Sequence, residues 1–420
     1  MDKFIVAKSK LSGAVKVSGS KNAALPIMAA TLLTEGRCVI KNVPCLRDIT
    51  TMIKILEVLG KKITFNNNIL VVESNKSRKY IAPYRLVKTM RASFCCLGPL
   101  LAKVKKAKVA LPGGCVIGPR PVNLHIKGLT SLGVDISVEK GYCQAEVKKL
   151  KGNHIYLGGP FGSSVLATAN VMMAAVLAQG DTSIEYAACE PEISSLGQFL
   201  REMGAGIEGF GTPLVKIKGK KSLNGCEFKV IPDRIEAGTF IAASLATGSD
   251  IVIEQAEPGH LSSVFEAAKK MGAKIVVDNK NKQIKVKPPK KIKSVNITTL
   301  PYPGFPTDLQ AQFMACLAKA KGISLISEKI YPDRFMHVAE LNRMGALIQK
   351  TGPYAIIEGC KKLQGAEVQA SDLRASAALV VAGLAAEGSS KISRIYHIDR
   401  GYESIEDKLQ KLGANIKRIK

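Results

Sequence analysis

Tryptophan is absent, and aromatic residues make up only 5% of the chain. A platform for single-stranded nucleic acid needs rows of stacking rings, so this scarcity argues against one. It does so even though lysine and arginine outnumber aspartate and glutamate by 61 to 34. The lysines are spread along the chain, with modest clusters at 103–108 and 280–293, the second alternating like an exposed hairpin strand. The net charge of +27 therefore reads as a solvated, lysine-rich surface, and no nucleic-acid partner is expected. No apolar run approaches the roughly 18 residues of a membrane helix, which predicts no membrane insertion. Met1-Asp2-Lys3-Phe4-Ile5 lacks a basic segment followed by an apolar one, so no signal peptide is expected and a cytoplasmic location is. None of the ten cysteines forms a C-x-x-C pair, and no cysteine–histidine set has zinc spacing. No metal or cofactor is signalled. Nine cysteines, all but Cys115, read as small buried hydrophobes in a reducing compartment. G-x-x-x-x-G-K-S/T is absent, which argues against nucleotide hydrolysis, and the G-x-G-x-x-G match at Gly204–Gly209 closes an amphipathic run instead of joining a strand to a following helix, which argues against dinucleotide redox chemistry.

What the chain does contain is a repeat. A Leu/Met-Gly pair with Ile three residues after the glycine recurs six times, at Gly60, Gly133, Gly204, Gly272, Gly345 and Gly413, at intervals of 68 to 73 residues. Each glycine follows an amphipathic run and precedes an alternating one, which predicts a helix closed by a left-handed glycine and then a strand. Upstream in each repeat lies a helix rich in small residues (23–33, 92–101, 167–177, 237–245, 309–317 and 375–384), with so little charge that burial on all sides is expected. Each repeat reads strand–helix–strand–helix–strand–strand. Six such α/β units exceed solenoid size, so two lobes of three units are expected. Residues 21–231 would form one lobe, with units one to three and the loop 111–121. Residues 1–20 and 232–420 would form the other. Two crossings, near 20 and 231, would make a hinge around a cleft.

Several segments are unlike core. Ser18-Gly-Ser-Lys21-Asn22 enters the first small-residue helix, and Pro306-Thr-Asp308 and Ser371-Asp372-Leu-Arg374 enter the fifth and sixth. Leu111–Pro121 holds Cys115 and Arg120 in a loop punctuated by glycine and proline, and Asp399-Arg400-Gly401 lies in the sixth connecting loop. Each has a bland reading: Asp308 and Asp372 as helix N-caps, Lys21 as surface charge, Cys115 as a buried thiol, Arg400 as partner of Asp399. Taken together, equivalent loops place polar and mostly cationic groups at helix N-termini, which suits a substrate bearing phosphate and carboxylate.

These segments, with Glu190-Pro-Glu-Ile, Pro232-Asp-Arg-Ile-Glu-Ala-Gly-Thr, Arg334-Phe-Met-His-Val and Ile395-Tyr-His-Ile-Asp-Arg-Gly-Tyr-Glu, make the chain resemble the enolpyruvyl transferase family from end to end. The resemblance implies a two-lobed inside-out α/β barrel of six βαβαββ units. It implies transfer of the enolpyruvyl group of phosphoenolpyruvate to the 3-hydroxyl of UDP-N-acetylglucosamine, with phosphate released, as the first committed step of peptidoglycan synthesis. The alternative acceptor is shikimate 3-phosphate. Catalysis is implied for Cys115, Asp308, Lys21 and Arg400. Contacts with phosphoenolpyruvate are implied for Lys21, Asn22, Arg120 and Arg400. Contacts with the nucleotide sugar are implied for Arg91, Arg120, Pro121, Val122, Asn123, Leu124, Gly162, Ser163, Ser164, Val165, Asp308 and Ile330, and Asp372 and Arg374 match further active-site positions. Asn123 stands where many relatives have aspartate, Gly162 where some have lysine, and Tyr331-Pro332-Asp333 replaces an aromatic-Glu-Asn. No cofactor is implied, a monomer is expected, and the thiol of Cys115 is expected to be alkylated by the epoxide fosfomycin.

Overall fold

The computed structural model describes residues 2–75, 79–111 and 122–420. They fold into two compact units. One comprises Pro232–Lys420 with the N-terminal residues up to Ser18, and the other runs from Gly19 to Ile231. The boundary after Ser18 follows from local bonding. Ser18 donates its N–H to Glu236 at 2.6 Å and accepts from the Asp233 N–H at 2.9 Å. Two residues later, the Ser20 N–H turns to the Ile231 carbonyl at 2.7 Å.

Among the described residues every repeat builds one four-stranded sheet, giving six. In the second repeat the order is Ile81–Ala82, Lys106–Ala110, Tyr142–Glu146, Asp135–Glu139, with the first pair parallel and the rest antiparallel. Three strands are borrowed across long sequence distances. Glu227–Lys229 starts the first repeat's sheet beside Cys38–Lys41, and Ala14–Lys16 starts the fourth beside Ile251–Glu254. Lys3–Ala7 completes the sixth, antiparallel to both Ser389–Ser393 and Ile416–Ile419.

The small-residue helices lie inside each unit and the sheets outside. Arg234–Thr247, Gln310–Leu317 and Leu373–Ala385 pack on one another in one unit. In the other, Lys21–Ala30, Leu97–Val104 and Val165–Ala175 form the interior. Small side chains permit this density. A Cβ on Gly98 would fall 2.2 Å from the Asn170 carbonyl oxygen, so these two helices touch backbone to backbone. The second repeat's helix, expected over 92–101, is instead a 3₁₀ turn, Arg91–Cys96, followed by the α-helix Leu97–Val104. Pro99 has no N–H to donate and falls in the first turn of this α-helix, where that N–H would have no partner within the helix.

The outer helices, such as Arg47–Val58 and Ser262–Lys270, each end in the repeat glycine. All six glycines have positive φ, from 84° to 102°. At five of them another part of the chain bonds the residue before the glycine: the N–H groups of Ser12, Lys151, Asn224, Lys293 and Gln364 donate to the carbonyls of Leu412, Leu132, Met203, Met271 and Met344. Each unit has its own hydrophobic core. Of the cysteines read as buried hydrophobes, Cys38, Cys95, Cys96, Cys143 and Cys316 are buried, but Cys189, Cys226 and Cys360 are half-buried and Cys45 is exposed. Among the described residues no helix is long and apolar enough to cross a membrane.

Candidate active site

In the unit containing Pro232–Lys420, Asp308 is gripped by two arginines. Its Oδ1 accepts from Arg334 Nη1 and its Oδ2 from Arg374 Nη2, both at 2.8 Å. Both arginine side chains are nearly buried, at 8% and 2% exposure, whereas Asp308 keeps 25%. Burial pushes the Asp308 pKa up, but the two guanidiniums outweigh it and hold the carboxyl well below its usual range. The group is therefore ionised at neutral pH. It does not cap the helix it precedes. A 3₁₀ turn, Thr307–Leu309, comes first and carries the carboxylate toward the arginines.

Asp372 behaves differently. Its Oδ1 accepts from the N–H groups of Arg374 and Ala375 at 2.7 and 3.2 Å, so it caps the helix Leu373–Ala385. By seating that first turn it also fixes where Arg374 starts. Ile330 is positioned by Glu328, a buried carboxylate missed by the sequence reading. Glu328 Oε1 accepts from the N–H groups of Ile330 and Tyr331 at 2.9 and 3.0 Å and from Thr299 Oγ1 at 2.6 Å. Its Oε2 accepts from Thr307 Oγ1 at 2.9 Å, beside Asp308. One buried acid thus ties Ile330 to the turn that presents Asp308. Behind the turn, Gln312 Nε2 donates to the Asp308 carbonyl and the Tyr402 hydroxyl, both at 3.0 Å. The Tyr402 ring lies 5.3 Å from the Arg374 guanidinium. Arg400 closes the 3₁₀ segment Ile395–Arg400 and is half-buried. The carboxylate of Asp399 is bound by Arg418, at 2.6 and 3.1 Å. Arg334 was visible only as part of a motif, and no role was attached to it.

In the unit Gly19–Ile231, Ser20 caps the helix Lys21–Ala30 and Lys21 is its first residue. A cation there opposes the helix dipole, so helix stability does not explain it. Lys21 is buried and its Nζ reaches Asp48 Oδ2 at 3.1 Å. Asn22, the next residue, is half-buried. Asp48 was not singled out from sequence, although it sits at the same distance before Gly60 as the buried Glu192 does before Gly204.

Several of the described nucleotide-sugar candidates on this unit lie on neighbouring elements. Asn123 and Leu124 open the helix Asn123–Ser131, which follows Val122 and packs on Val165–Ala175. A Cβ on Gly159 would lie 3.0 Å from Leu124 Cδ1. Gly159 and Gly162 exchange two backbone hydrogen bonds at 3.1 Å, and Gly162 has φ 92°, a conformation that strains any side chain placed there. Ser163 leads to Ser164, which caps Val165–Ala175 through the Ala167 N–H at 3.4 Å. Asn170 joins the parts: its Oδ1 accepts from the Gly98 N–H at 2.8 Å, and its Nδ2 contacts the Phe94 carbonyl at 2.9 Å and His125 Nδ1 at 2.8 Å. Burial, with Arg91 adding to it, lowers the His125 pKa to about 3, which places Arg91 beside the same helix.

Cys115, Arg120 and Pro121 lie outside the described residues. Among the described ones, no group of histidine, cysteine and carboxylate side chains is arranged to hold a metal ion. An open hollow of about 650 Å³ lined by His154, Asp181, Arg201, Glu208, Lys216 and Lys218 contains none of the candidate residues.

The sequence profile of the EPSP synthase (3-phosphoshikimate 1-carboxyvinyltransferase) family matches residues 5–409. The chain is 52% identical over 420 residues to the UDP-N-acetylglucosamine 1-carboxyvinyltransferase of Geotalea uraniireducens, covering all of both chains. It is 50% identical over 420 residues to UDP-N-acetylglucosamine 1-carboxyvinyltransferase 2 of Carboxydothermus hydrogenoformans, again covering all of both. Among solved structures, the enolpyruvyl transferase NikO from Streptomyces tendae superposes with a TM-score of 0.89 at 22% identity, over 99% of this chain and 98% of that one. An EPSP synthase from Acinetobacter baumannii gives 0.76 at 19% identity over the whole of both chains. The α/β architecture of six small sheets is thus that of the enolpyruvyl transferases, and the chain belongs to the EPSP synthase family of carboxyvinyltransferases.

Proposed function

We propose that this enzyme transfers the enolpyruvyl group of phosphoenolpyruvate to the 3-hydroxyl of UDP-N-acetylglucosamine, releasing phosphate, as the first committed step of peptidoglycan synthesis in the cytoplasm. The observation that carries this reading is half-identity, over the full length, to relatives bearing that activity in their names. Lys21, Asn22, Arg120 and Arg400 hold phosphoenolpyruvate, and Arg91, the segments 120–124 and 162–165, Asp308 and Ile330 hold the nucleotide sugar. Asp372 and Arg374 complete the site.

The chemistry is addition followed by elimination. C3 of phosphoenolpyruvate gains a proton, for which Cys115 is the acid, and the sugar oxygen bonds to C2. Loss of a proton from C3 and departure of phosphate from C2 then restore the double bond. Asp308 receives the hydroxyl proton. Its depressed pKa makes it a weak base, which suffices here, because the hydroxyl proton becomes strongly acidic as the oxygen donates its electrons to C2. The same two arginines keep Asp308 ionised and ready to accept. Lys21, Arg120 and Arg400 stabilise negative charge on the phosphate and carboxylate.

The test is phosphate release from phosphoenolpyruvate with each acceptor. Release with UDP-N-acetylglucosamine supports the proposal; release only with shikimate 3-phosphate overturns it. Fosfomycin should add one adduct by intact mass, absent in Cys115→Asp.

A further inference from the structure

Two cysteines outside the proposed chemistry face each other. Cys38 opens the strand Cys38–Lys41, and Cys226 immediately precedes its parallel neighbour Glu227–Lys229. The register Glu227↔Val39 and Phe228↔Ile40 sets Cys226 opposite Cys38, and the Val39 N–H donates to the Cys226 carbonyl at 2.9 Å. Opposed residues of in-register parallel strands project to the same face. Neighbouring strands stand about 5 Å apart, within the Cα separation a disulfide spans.

The approach is enforced by the residues just before. A Cβ on Gly36 would lie 2.4 Å from the Gly225 nitrogen, and one on Gly225 would lie 2.1 Å from the Arg37 oxygen. Two backbones therefore touch with no side chain between them. Thr34 Oγ1 clamps the same segments by donating to the Leu223 carbonyl at 2.8 Å. Nearby, the buried Lys61 donates from Nζ to the Thr34 carbonyl at 2.7 Å.

The surroundings suit thiolate chemistry. A hydrogen bond from the Cys226 thiol, opposed by burial and aided by Lys61, lowers the Cys38 pKa to about 7. Cys226 is pushed up for the complementary reason, since it retains the shared proton. Cys38 is buried, and the half-buried Cys226 gives the pair its access to solvent.

We propose that Cys38 and Cys226 form a reversible redox site, in which a hydroperoxide or a small-molecule disulfide converts the two thiols to an intramolecular disulfide. With hydrogen peroxide, one thiolate attacks a peroxide oxygen and leaves as a sulfenic acid. The second sulfur then displaces its oxygen as water. The two sulfurs lose two electrons, and the peroxide is reduced to two waters. A dithiol reductant reverses the change by exchange. The bond pins Glu227–Lys229, a three-residue edge strand paired on one side only, to the first repeat.

The experiment exposes native full-length protein to hydrogen peroxide, alkylates the remaining thiols, and maps a non-reduced digest by mass spectrometry. The expected result is a linked peptide joining Cys38 to Cys226, absent after dithiothreitol, forming faster as the pH rises through about 7. Cys226→Ser should yield no such link. Recovery of both residues as alkylated thiols, under exposure that oxidises the exposed Cys45, would overturn the proposal. So would capture of either residue only by another cysteine. The wild-type map decides the question even if the variant folds poorly.

Discussion

At the scale of single residues, the arrangement to explain is a carboxylate held between two nearly buried arginines. Asp308→Ala leaves both guanidiniums without their shared anion, and removing one partner of such a buried set costs about 3 kcal/mol. Urea unfolding at pH 7 measures this. Asp308→Asn keeps the shape but cannot accept a proton, so its kcat should fall by ~10²–10⁴-fold. A variant retaining wild-type kcat would remove Asp308 from the chemistry. Because the folded pKa is depressed, the carboxylate's contribution to stability is full above its unfolded pKa of about 4. It is lost only as the pH falls below that. The sequence marked Asp308 and Asp372 alike, as acids opening small-residue helices. Only the family resemblance separated them, because the local distinction is one 3₁₀ turn. That turn swings Asp308 away from its helix, whereas Asp372 keeps the cap. Arg334 and Glu328 went unassigned for a related reason: each acts on a group reached only through tertiary folding.

At the scale of elements, the repeat was the most legible feature, since a positive-φ glycine after an amphipathic helix leaves a local signature. Its phase also aligns three arginines. Arg47, Arg120 and Arg400 stand at one offset before Gly60, Gly133 and Gly413. The borrowed strands were harder to read. Phe4-Ile-Val precedes the first repeat and so reads as part of the other lobe, but the pairing of Glu227–Lys229 with Cys38–Lys41 is not written in either segment. The interior helices depend on closeness of backbone rather than on side-chain bulk. Gly98→Ala forces a methyl group to 2.2 Å from a backbone oxygen of the neighbouring helix, and should destabilise by about 3 kcal/mol. Gly248→Ala meets no atom within 4 Å and carries only the strain of φ 65°, about 1 kcal/mol. Thermal unfolding of the two variants distinguishes close approach from conformation: equal losses would contradict the packing account.

At the scale of the whole molecule, each unit has a core of its own and a buried histidine of its own. Burial lowers His125 to about 3 and His337 to about 4, the latter against the pull of Asp372. Both values lie below the ~6.5 of an unfolded histidine, so protons bind the unfolded chain first. Stability is then complete above about pH 6.5 and falls as the pH drops, by up to about 1.4 kcal/mol per pH unit for each histidine. Urea midpoints compared at pH 7 and pH 5 measure the loss, and His125→Gln should lessen it. No such slope between pH 7 and 5 would show these histidines to be protonated in the fold. Beyond the few cations of the proposed site, nothing in the structure explains the net charge of +27.

The two family activities differ in which molecule accepts the enolpyruvyl group. The most direct measurement incubates the enzyme with phosphoenolpyruvate and equal amounts of UDP-N-acetylglucosamine and shikimate 3-phosphate, then identifies the products by mass and NMR. A single enolpyruvyl ether is expected, at the 3-oxygen of the UDP-sugar, formed in step with phosphate. An enolpyruvyl ether of shikimate 3-phosphate with the UDP-sugar unchanged would contradict it.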